Sequence, residues 1–340
     1  MTKNLSGIFL VISIFVFLAV GYKISNEDHK AVKLYAGKII IGMETWPGYL
    51  ALIVARDKGY FQQAGLDVEI KRYVTLGDLS KDYVAGKMQG RANLTLDAVN
   101  EYLSGLDHKA VLVIDYSNGS DAILAREGVN TVRDFQGKKV GFEPDTLEEF
   151  FLIWALKENG ISMADIISVH AGPQETPQLL KNGTIDVAVS HEPFISELSS
   201  FGDFHTVYSS ADAPGLITDI LTFRADFIQA YPETVQTIVS AYFKALKFWK
   251  ENPQEACAMV AKEFGDTPEG IAGQLKGIAM LDERDNQIAL TFAAGFQSLY
   301  GNMRQTANFV RQHRGVDIQD VNTDKIDKLI EPRFTKNRNE

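Results

Sequence analysis

Apolar residues in this chain come in short blocks whose spacing changes along its length. Ile39–Gly42 is an unbroken apolar run of strand length, and Leu66–Ile70 reads as a second strand. Between them the loop Glu44-Thr45-Trp46-Pro47-Gly48-Tyr49 leads into Leu50, Ile53, Val54 and Phe61, spaced as one face of a helix. Strand, aromatic loop, helix, glycine-containing turn and strand make one βαβ unit. Ligands of such units sit beyond the carboxyl end of the strand, which here receives Glu44, Trp46 and Tyr49. The alternation continues to about Arg224 and predicts strands at Lys38–Met43, Val68–Tyr73, Ala92–Leu96, Ala110–Asp115, Ala122–Ala125, Lys139–Phe142, Ile167–His170, Asp186–Ser190, His205–Tyr208 and Ile220–Phe223. Helical patterns separate many of them, for instance Thr146–Asn159, ended by Gly160. The expectation is an α/β chain with parallel-type sheets covered by helices on both faces.

From Pro232 onward the pattern predicts helix alone. Pro232-Glu233 suits a first helical turn, and Val235, Ile238, Val239, Tyr242 and Phe243 form an apolar stripe. Pro253 and Pro268 open two further helices, and Phe292, Phe296, Leu299 and Met303 give a fourth stripe ending near Gly315. There is no exact internal repeat and no low-complexity tract.

Ten strands would make a large open sheet, and the segment Asp121–Ser209 holds a complete βα set of its own. Its entry, Ser117-Asn118-Gly119-Ser120, and its exit, Ser209–Gly215, are rich in turn residues. Two lobes are therefore expected. One is split (residues 38–118 and 210–334), the other inserted (119–209), and two crossing segments join them in a clamshell able to close by hinge motion. Residues 22–37 read as a polar linker, and 335–340 as a polar tail that frays.

The chain has 340 residues, enough for two domains. At 45% hydrophobic and 23% charged it is globular in composition. A formal net charge of −10, with no basic stripe, argues against nucleic acid. Its single cysteine, Cys257, excludes an internal disulfide and a CxxC site, and its Ala-Cys-Ala-Met-Val setting is that of a buried helical thiol. Lys3, the apolar run Gly7–Gly21 and a small-residue site at Ala19-Val20-Gly21 read as a signal peptide, Met1–Gly21, with an inner-membrane anchor as the alternative. No cysteine adjoins the run, so a lipoprotein is not expected, and either route exports the body to the periplasm.

Four further blocks follow the opening one. Ala85-Gly86-Lys87…Ala92-Asn93-Leu94-Thr95-Leu96-Asp97 ends a strand and starts a helix, offering Thr95 and Asp97 to the crevice, although Asp97 also suits a plain helix cap. Asp115–Asp121 (DYSNGSD) supplies Ser117, Gly119 and Asp121 at the first crossing; Gly119 permits close approach or positive φ, and a simple turn is the competing reading. Val132–Leu152 carries Gly137-Lys138-Lys139, without the surrounding pattern of a P-loop, and enters a helix through Glu143, Asp145, Thr146, Glu148 and Glu149. Gly183–Phe194 (GTIDVAVSHEPF) presents His191 and Glu192, with Pro193 rigidifying the turn. These five blocks, in this order over roughly Lys38 to Asn286, resemble the periplasmic substrate-binding proteins of ABC transporters of the nitrate/taurine/aliphatic-sulfonate type, including their thiamine-pyrimidine-precursor relatives. The resemblance implies a type II periplasmic-binding-protein fold and a small-molecule ligand held between the lobes. It also implies delivery to ABC permease and ATPase subunits in the inner membrane. A monomer is expected.

Catalysis needs a nucleophile with a base, a metal cluster or a cofactor motif. The six histidines are scattered without HExxH or HxH, and no G-x-S-x-G, S-x-x-K or G-x-G-x-x-G occurs. Glu148 and Glu149 are neighbours on a helix and diverge by about 100°. The fold-relatives that make thiamine pyrimidine use a cysteine-rich motif, which one cysteine cannot supply. No cofactor, metal site or enzyme activity is expected. The loops placed at the crevice supply Glu44, Asp97, Asp121, Glu143, Asp145 and Glu192, with Trp46, Tyr49, Tyr116 and Ser117, but no lysine or arginine; His191 is the one potential cation. A desolvated carboxylate requires donors or a paired charge, so the ligand expected is an amine or pyrimidine-like compound in preference to a strong anion. Two alternatives stand beside the importer receptor: a membrane-anchored module signalling to a kinase or cyclase, and, disfavoured, an exported enzyme.

Overall fold

The structure, a computed structural model, describes residues 33–313 and 323–336. The expected signal peptide, Met1–Gly21, lies outside the described residues. Two sheets organise the chain. The first contains β1 (Ile39–Met43), β2 (Val68–Arg72), β3 (Gly90–Leu94), β4 (His108–Ser117), β10 (Thr218–Arg224) and β11 (Ile278–Met280), in the order β11-β4-β10-β3-β1-β2. The second contains β5 (Asp121–Arg126), β6 (Lys139–Phe142), β7 (Ile167–His170), β8 (Val187–His191) and β9 (Phe204–Ser209), in the order β7-β6-β8-β5-β9. The chain leaves the first sheet after β4 and returns to it at β10.

Both sheets are mixed, which corrects the expectation of parallel pairing. β1 runs parallel to β2 and β3, and β6 parallel to β7 and β8. In contrast, β10 is antiparallel to β3 and β4, β11 to β4, and β5 to both β8 and β9. Parallel neighbours are those joined by a helical crossover within one sheet. The antiparallel ones include the strands on which the chain passes from sheet to sheet, where no crossover fixes direction.

The helix Leu50–Asp57 is apolar on nearly all sides because it is covered on nearly all sides. Leu50 to Ala55 are all buried, beneath the helices Pro232–Glu251 and Pro253–Phe264. Each fully buried Leu, Ile or Val contributes about 1.5–3 kcal/mol, so this helix holds the end of β1 in a fixed place. Pro232–Glu251 buries Val235, Ile238, Val239 and Tyr242 of the stripe read from the sequence and leaves Phe243 half-buried, and Cys257 is buried in the next helix. A second apolar cluster joins the sheets: it combines Val113 and Ile220 with Ile123, Val140 and Val187, covered by Leu299 and Met303.

Four boundaries differ from expectation. Thr95 and Leu96 open the helix Thr95–Leu103 and do not extend β3; Asp97 in that first turn favours helix through the dipole. β11 interrupts the stretch expected to be helix alone; three residues give too short a pattern to read. The last helix of the stripe begins at Leu299, leaving Phe292 exposed and Phe296 half-buried ahead of it. Finally, the described residues at both flanks are anchored. Tyr35 donates its N–H to Thr234 Oγ1 at 2.8 Å and packs edge-on against Phe227 and Tyr231, while Thr335 is buried with its carbonyl accepting from Gln287.

Candidate functional site

The register of β10 on β4 sets Asp219 opposite Asp115. Side chains directly opposite on adjacent strands share a face, so two wholly buried carboxyls confront each other at the strand ends. The aromatic loop after β1 closes over them. Tyr49 donates its hydroxyl proton to Asp219 Oδ1, and Trp46 donates Nε1–H to Asp115 Oδ2 at 3.2 Å. Gly48 makes this possible: a Cβ there would lie 2.1 Å from Asp115 Oδ2 and 2.5 Å from Trp46 Nε1. Asp115 Oδ1 is buried and has no hydrogen-bond partner. Burial pushes the Asp115 carboxyl up to about 8, with Asp121 adding to it against the Trp46 bond. Asp219 is pushed well above the carboxylate range by burial and then by Asp115.

The second sheet supplies the other charged wall. Asp121, the first residue of β5, pairs in register with His191 at the end of β8. His191 Nδ1 lies 2.9 Å from Glu148 Oε1. Burial alone would favour the neutral form of each. Their contact outweighs it, holding Glu148 below its ordinary value and His191 above, so the two form an ion pair. Asp121 is buried with Oδ2 unpartnered, and burial, partly offset by His191, raises its carboxyl to about 6. Glu44, at the mouth of β1, is raised to about 7 by burial and then by Asp97. Glu143 is raised by burial and by Glu148.

One expectation needs correcting: an arginine does serve this region. Arg91 lies in β3, fully buried, with Nη1 bonded to Glu101 and, at 2.9 Å, to Ser80 Oγ. Its Nη2 stands 3.6 Å from the Asp97 carboxylate. It acts from beneath, as counter-charge to Asp97 and Glu101, and opposes the rise at Glu44. Asp97 is thus held by Arg91 in the first turn of its helix.

The other expected residues fall into two groups. Thr95 is buried at the same helix entry. Ser117 and Gly119 belong to the crossing: Ser117 Oγ shares a hydrogen bond with Ser210 Oγ at 2.7 Å, and the Gly119 N–H donates to the same oxygen at 2.7 Å, with φ at 117°. Thr146 caps the helix Leu147–Glu158, accepting from Glu148 N and lying within hydrogen-bond distance of the Glu143 carbonyl. Glu192 binds the Ser196 N–H and hydroxyl at 3.1 and 3.0 Å and so caps the helix Phe194–Ser200. Tyr116 gives its hydroxyl to Gln297 O at 2.6 Å. The sequence reading missed Asp115, Asp219, Glu148 and Arg91 as site residues. The available signal was an acid or arginine inside an otherwise apolar strand, as in Thr218-Asp219-Ile220-Leu221.

Two mixed sheets, connected by two crossings with acids and aromatics at the strand ends between them, define the periplasmic-binding-protein fold. Solved structures agree. The aliphatic sulphonate binding protein SsuA of Escherichia coli superposes with a TM-score of 0.72 at 16% identity, over 83% of this chain and 94% of that one. The nitrate-binding protein NrtA of Synechocystis PCC 6803 gives 0.66 at 14%, over 87% and 86%. The model of the NMT1/THI5-like family matches residues 46–256, and the chain belongs to that family. In sequence it is 22% identical to the taurine-binding periplasmic protein of Escherichia coli K12 over 253 residues, 71% of this chain and 78% of that protein. It is also 22% identical to a binding protein of Brucella abortus strain 2308 over 222 residues, covering 62% of this chain and 66% of the relative's length. Among the described residues no helix is long and apolar enough to cross a membrane.

Proposed function

We propose that this protein is an extracytoplasmic solute-binding receptor that captures a small molecule between its two sheets and passes it to the permease and ATPase of an ABC importer. The family, and the periplasmic binding proteins it is similar to, support the class. On this reading it acts as a monomer in the periplasm and has no chemistry of its own to perform.

The ligand leans nitrogenous, an amine or pyrimidine-like compound. The observation that carries this is the convergence of carboxyls from both sheets, two of them buried with an oxygen unpartnered, Asp115 Oδ1 and Asp121 Oδ2. A buried acceptor without a donor costs about 1–3 kcal/mol, and a ligand N–H removes that cost. Among the described residues the cations that act on these carboxyls, Arg91 and His191, are occupied by Glu101 with Asp97 and by Glu148. A sulfonate or nitrate would therefore meet acids with no free counter-charge. Trp46, half-buried in the loop after β1, offers a flat face for a ring or a cation.

A thermal-shift panel of amines, pyrimidines, taurine and alkanesulfonates tests the reading. At 100-fold excess over the dissociation constant a true ligand stabilises by about 2.7 kcal/mol. Shifts by taurine or alkanesulfonates, with none from nitrogenous compounds, would reverse the ligand preference while leaving the receptor reading intact.

A further inference from the structure

The acidic cluster holds more carboxyls than one neutral ligand needs, and they are of two kinds. Asp97 and Glu148 already face cations, Arg91 and His191. Asp115 and Asp219 do not: their partners are the Trp46 N–H and the Tyr49 hydroxyl, while Asp121, opposite His191, keeps its Oδ2 without a hydrogen-bond partner. Placing like carboxyls opposite each other on adjacent strands destabilises a sheet. Burying them without a counter-charge is a second penalty. An empty site tolerates the arrangement by keeping protons on it. Trp46, Tyr49 and Tyr242 pack around the pair and contribute no positive charge. Tyr242, from the helix Pro232–Glu251, is buried with its hydroxyl unpartnered, and its own ionisation is opposed by burial and then by Asp115 and Asp219.

We propose that Asp115 and Asp121, one from each sheet, grip a cationic amine or amidinium group of the ligand, and that its entry expels a proton from their cluster into solvent. This rests on the receptor reading and names the charge state of what that receptor takes. The two unpartnered oxygens, Asp115 Oδ1 and Asp121 Oδ2, are the acceptors for two N–H donors of one group. In the exchange the cation replaces the proton: a carboxyl O–H dissociates, its proton goes to buffer, and the carboxylate accepts N–H in its place. The other groups facing the cluster set its sign. Glu44, Asp97 and Glu148 favour the incoming cation, as does Glu192 through its effect on Asp121. His191 opposes it, and Arg91 does so from beneath β3. Glu44 is itself raised, so it adds to the proton released.

The sign follows from linkage. With Asp115 raised to about 8 and Asp121 to about 6, lowering the pH keeps the cluster protonated and weakens a cation. Affinity for a cation should therefore rise from pH 6 to pH 8, by about tenfold per pH unit for each proton displaced, and flatten above. Benzamidine, neutral benzamide and benzenesulfonate are matched probes differing in charge. Calorimetry of each, in buffers of differing ionisation enthalpy between pH 6 and pH 9, counts the protons released. The expected result is binding of benzamidine with release of about one proton near pH 7, and much weaker binding of the other two. Asp121→Asn and Asp115→Asn should each lower benzamidine affinity at least tenfold and reduce the proton count, with unchanged circular dichroism. Asp121→Asn, at the first position of β5, keeps the test alive if Asp115→Asn misfolds. A pH-independent affinity, benzamide binding as tightly as benzamidine, or no binding of benzamidine at millimolar concentration overturns the proposal. A thermal shift by taurine alongside any of these would show that the receptor reading survives it.

Discussion

Asp115 combines three properties that rarely coincide: it is fully buried, sits opposite another acid, and has one oxygen without a donor. Its consequence for the empty protein can be measured without any ligand. The folded carboxyl, raised to about 8, keeps a proton that the unfolded chain releases near 4. Its stabilising contribution is complete below that lower value and is lost as pH rises toward 8. Asp121 and Glu44, raised to about 6 and 7, act in the same direction. His191, held above its ordinary value, likewise loses its contribution as pH rises, whereas Glu148, held below, loses its own as pH falls. The sum is a melting temperature that declines from pH 5 to pH 8 and levels above it. Each exchanged proton adds a slope of at most about 1.4 kcal/mol per pH unit. Scanning calorimetry of the wild type and Asp115→Asn checks this: the variant should lose much of the decline, and a wild-type melting temperature rising over that interval would contradict the assignment.

Strands and helices were legible where one pattern dominated a stretch. β6 and β7 have the bounds expected from the sequence, and Pro232, Pro253 and Pro268 each open a helix. Strand direction was not legible, because pairing of β10 depends on which sheet the chain returns to and no local residue encodes that. The site was half legible. Glu44, Trp46, Tyr49, Asp97, Asp121 and His191 follow from their places at strand ends, but Asp115 and Asp219 emerge only from cross-strand register. Asn286 shows the same limit. A polar residue in the short helix Glu283–Ala289, it is fully buried, its side-chain amide accepting from Val113 N at 2.7 Å and donating to Val113 O at 2.9 Å. It thereby continues the hydrogen bonding of β4 beside the end of β11. Asn286→Leu keeps the volume and orphans both main-chain groups, at about 1–3 kcal/mol each. The expected loss of about 2–4 kcal/mol is measurable by urea denaturation, and a variant as stable as wild type would mean that the amide does not complete the strand.

Opening and closing, if the chain is a clamshell, must turn on the two crossings, and these are tied at a single hydroxyl. Ser210 Oγ shares a hydrogen bond with Ser117 Oγ and accepts the Gly119 N–H, at 2.7 Å each, while Gly277 O accepts the Asn118 and Ser120 N–H groups at 2.8 and 3.2 Å. Three chain segments therefore meet at one knot, immediately beside Asp121. The apolar cluster shared by the two sheets stands against wide separation, which favours rotation about the knot over disengagement of the lobes. Saturating ligand, once the thermal-shift panel identifies one, should lower the radius of gyration in small-angle scattering. Ser210→Ala removes the hydroxyl half of the knot without removing any carboxyl. Losing its hydrogen bonds should destabilise the protein by about 1–3 kcal/mol. Affinity should also fall, because the binding-competent arrangement becomes a smaller fraction of a looser ensemble. Compaction should persist in the variant at saturation, since the closing contacts are untouched. A wild-type radius of gyration indifferent to ligand would rule out hinge closure, and a variant with unchanged affinity would remove Ser210 from it.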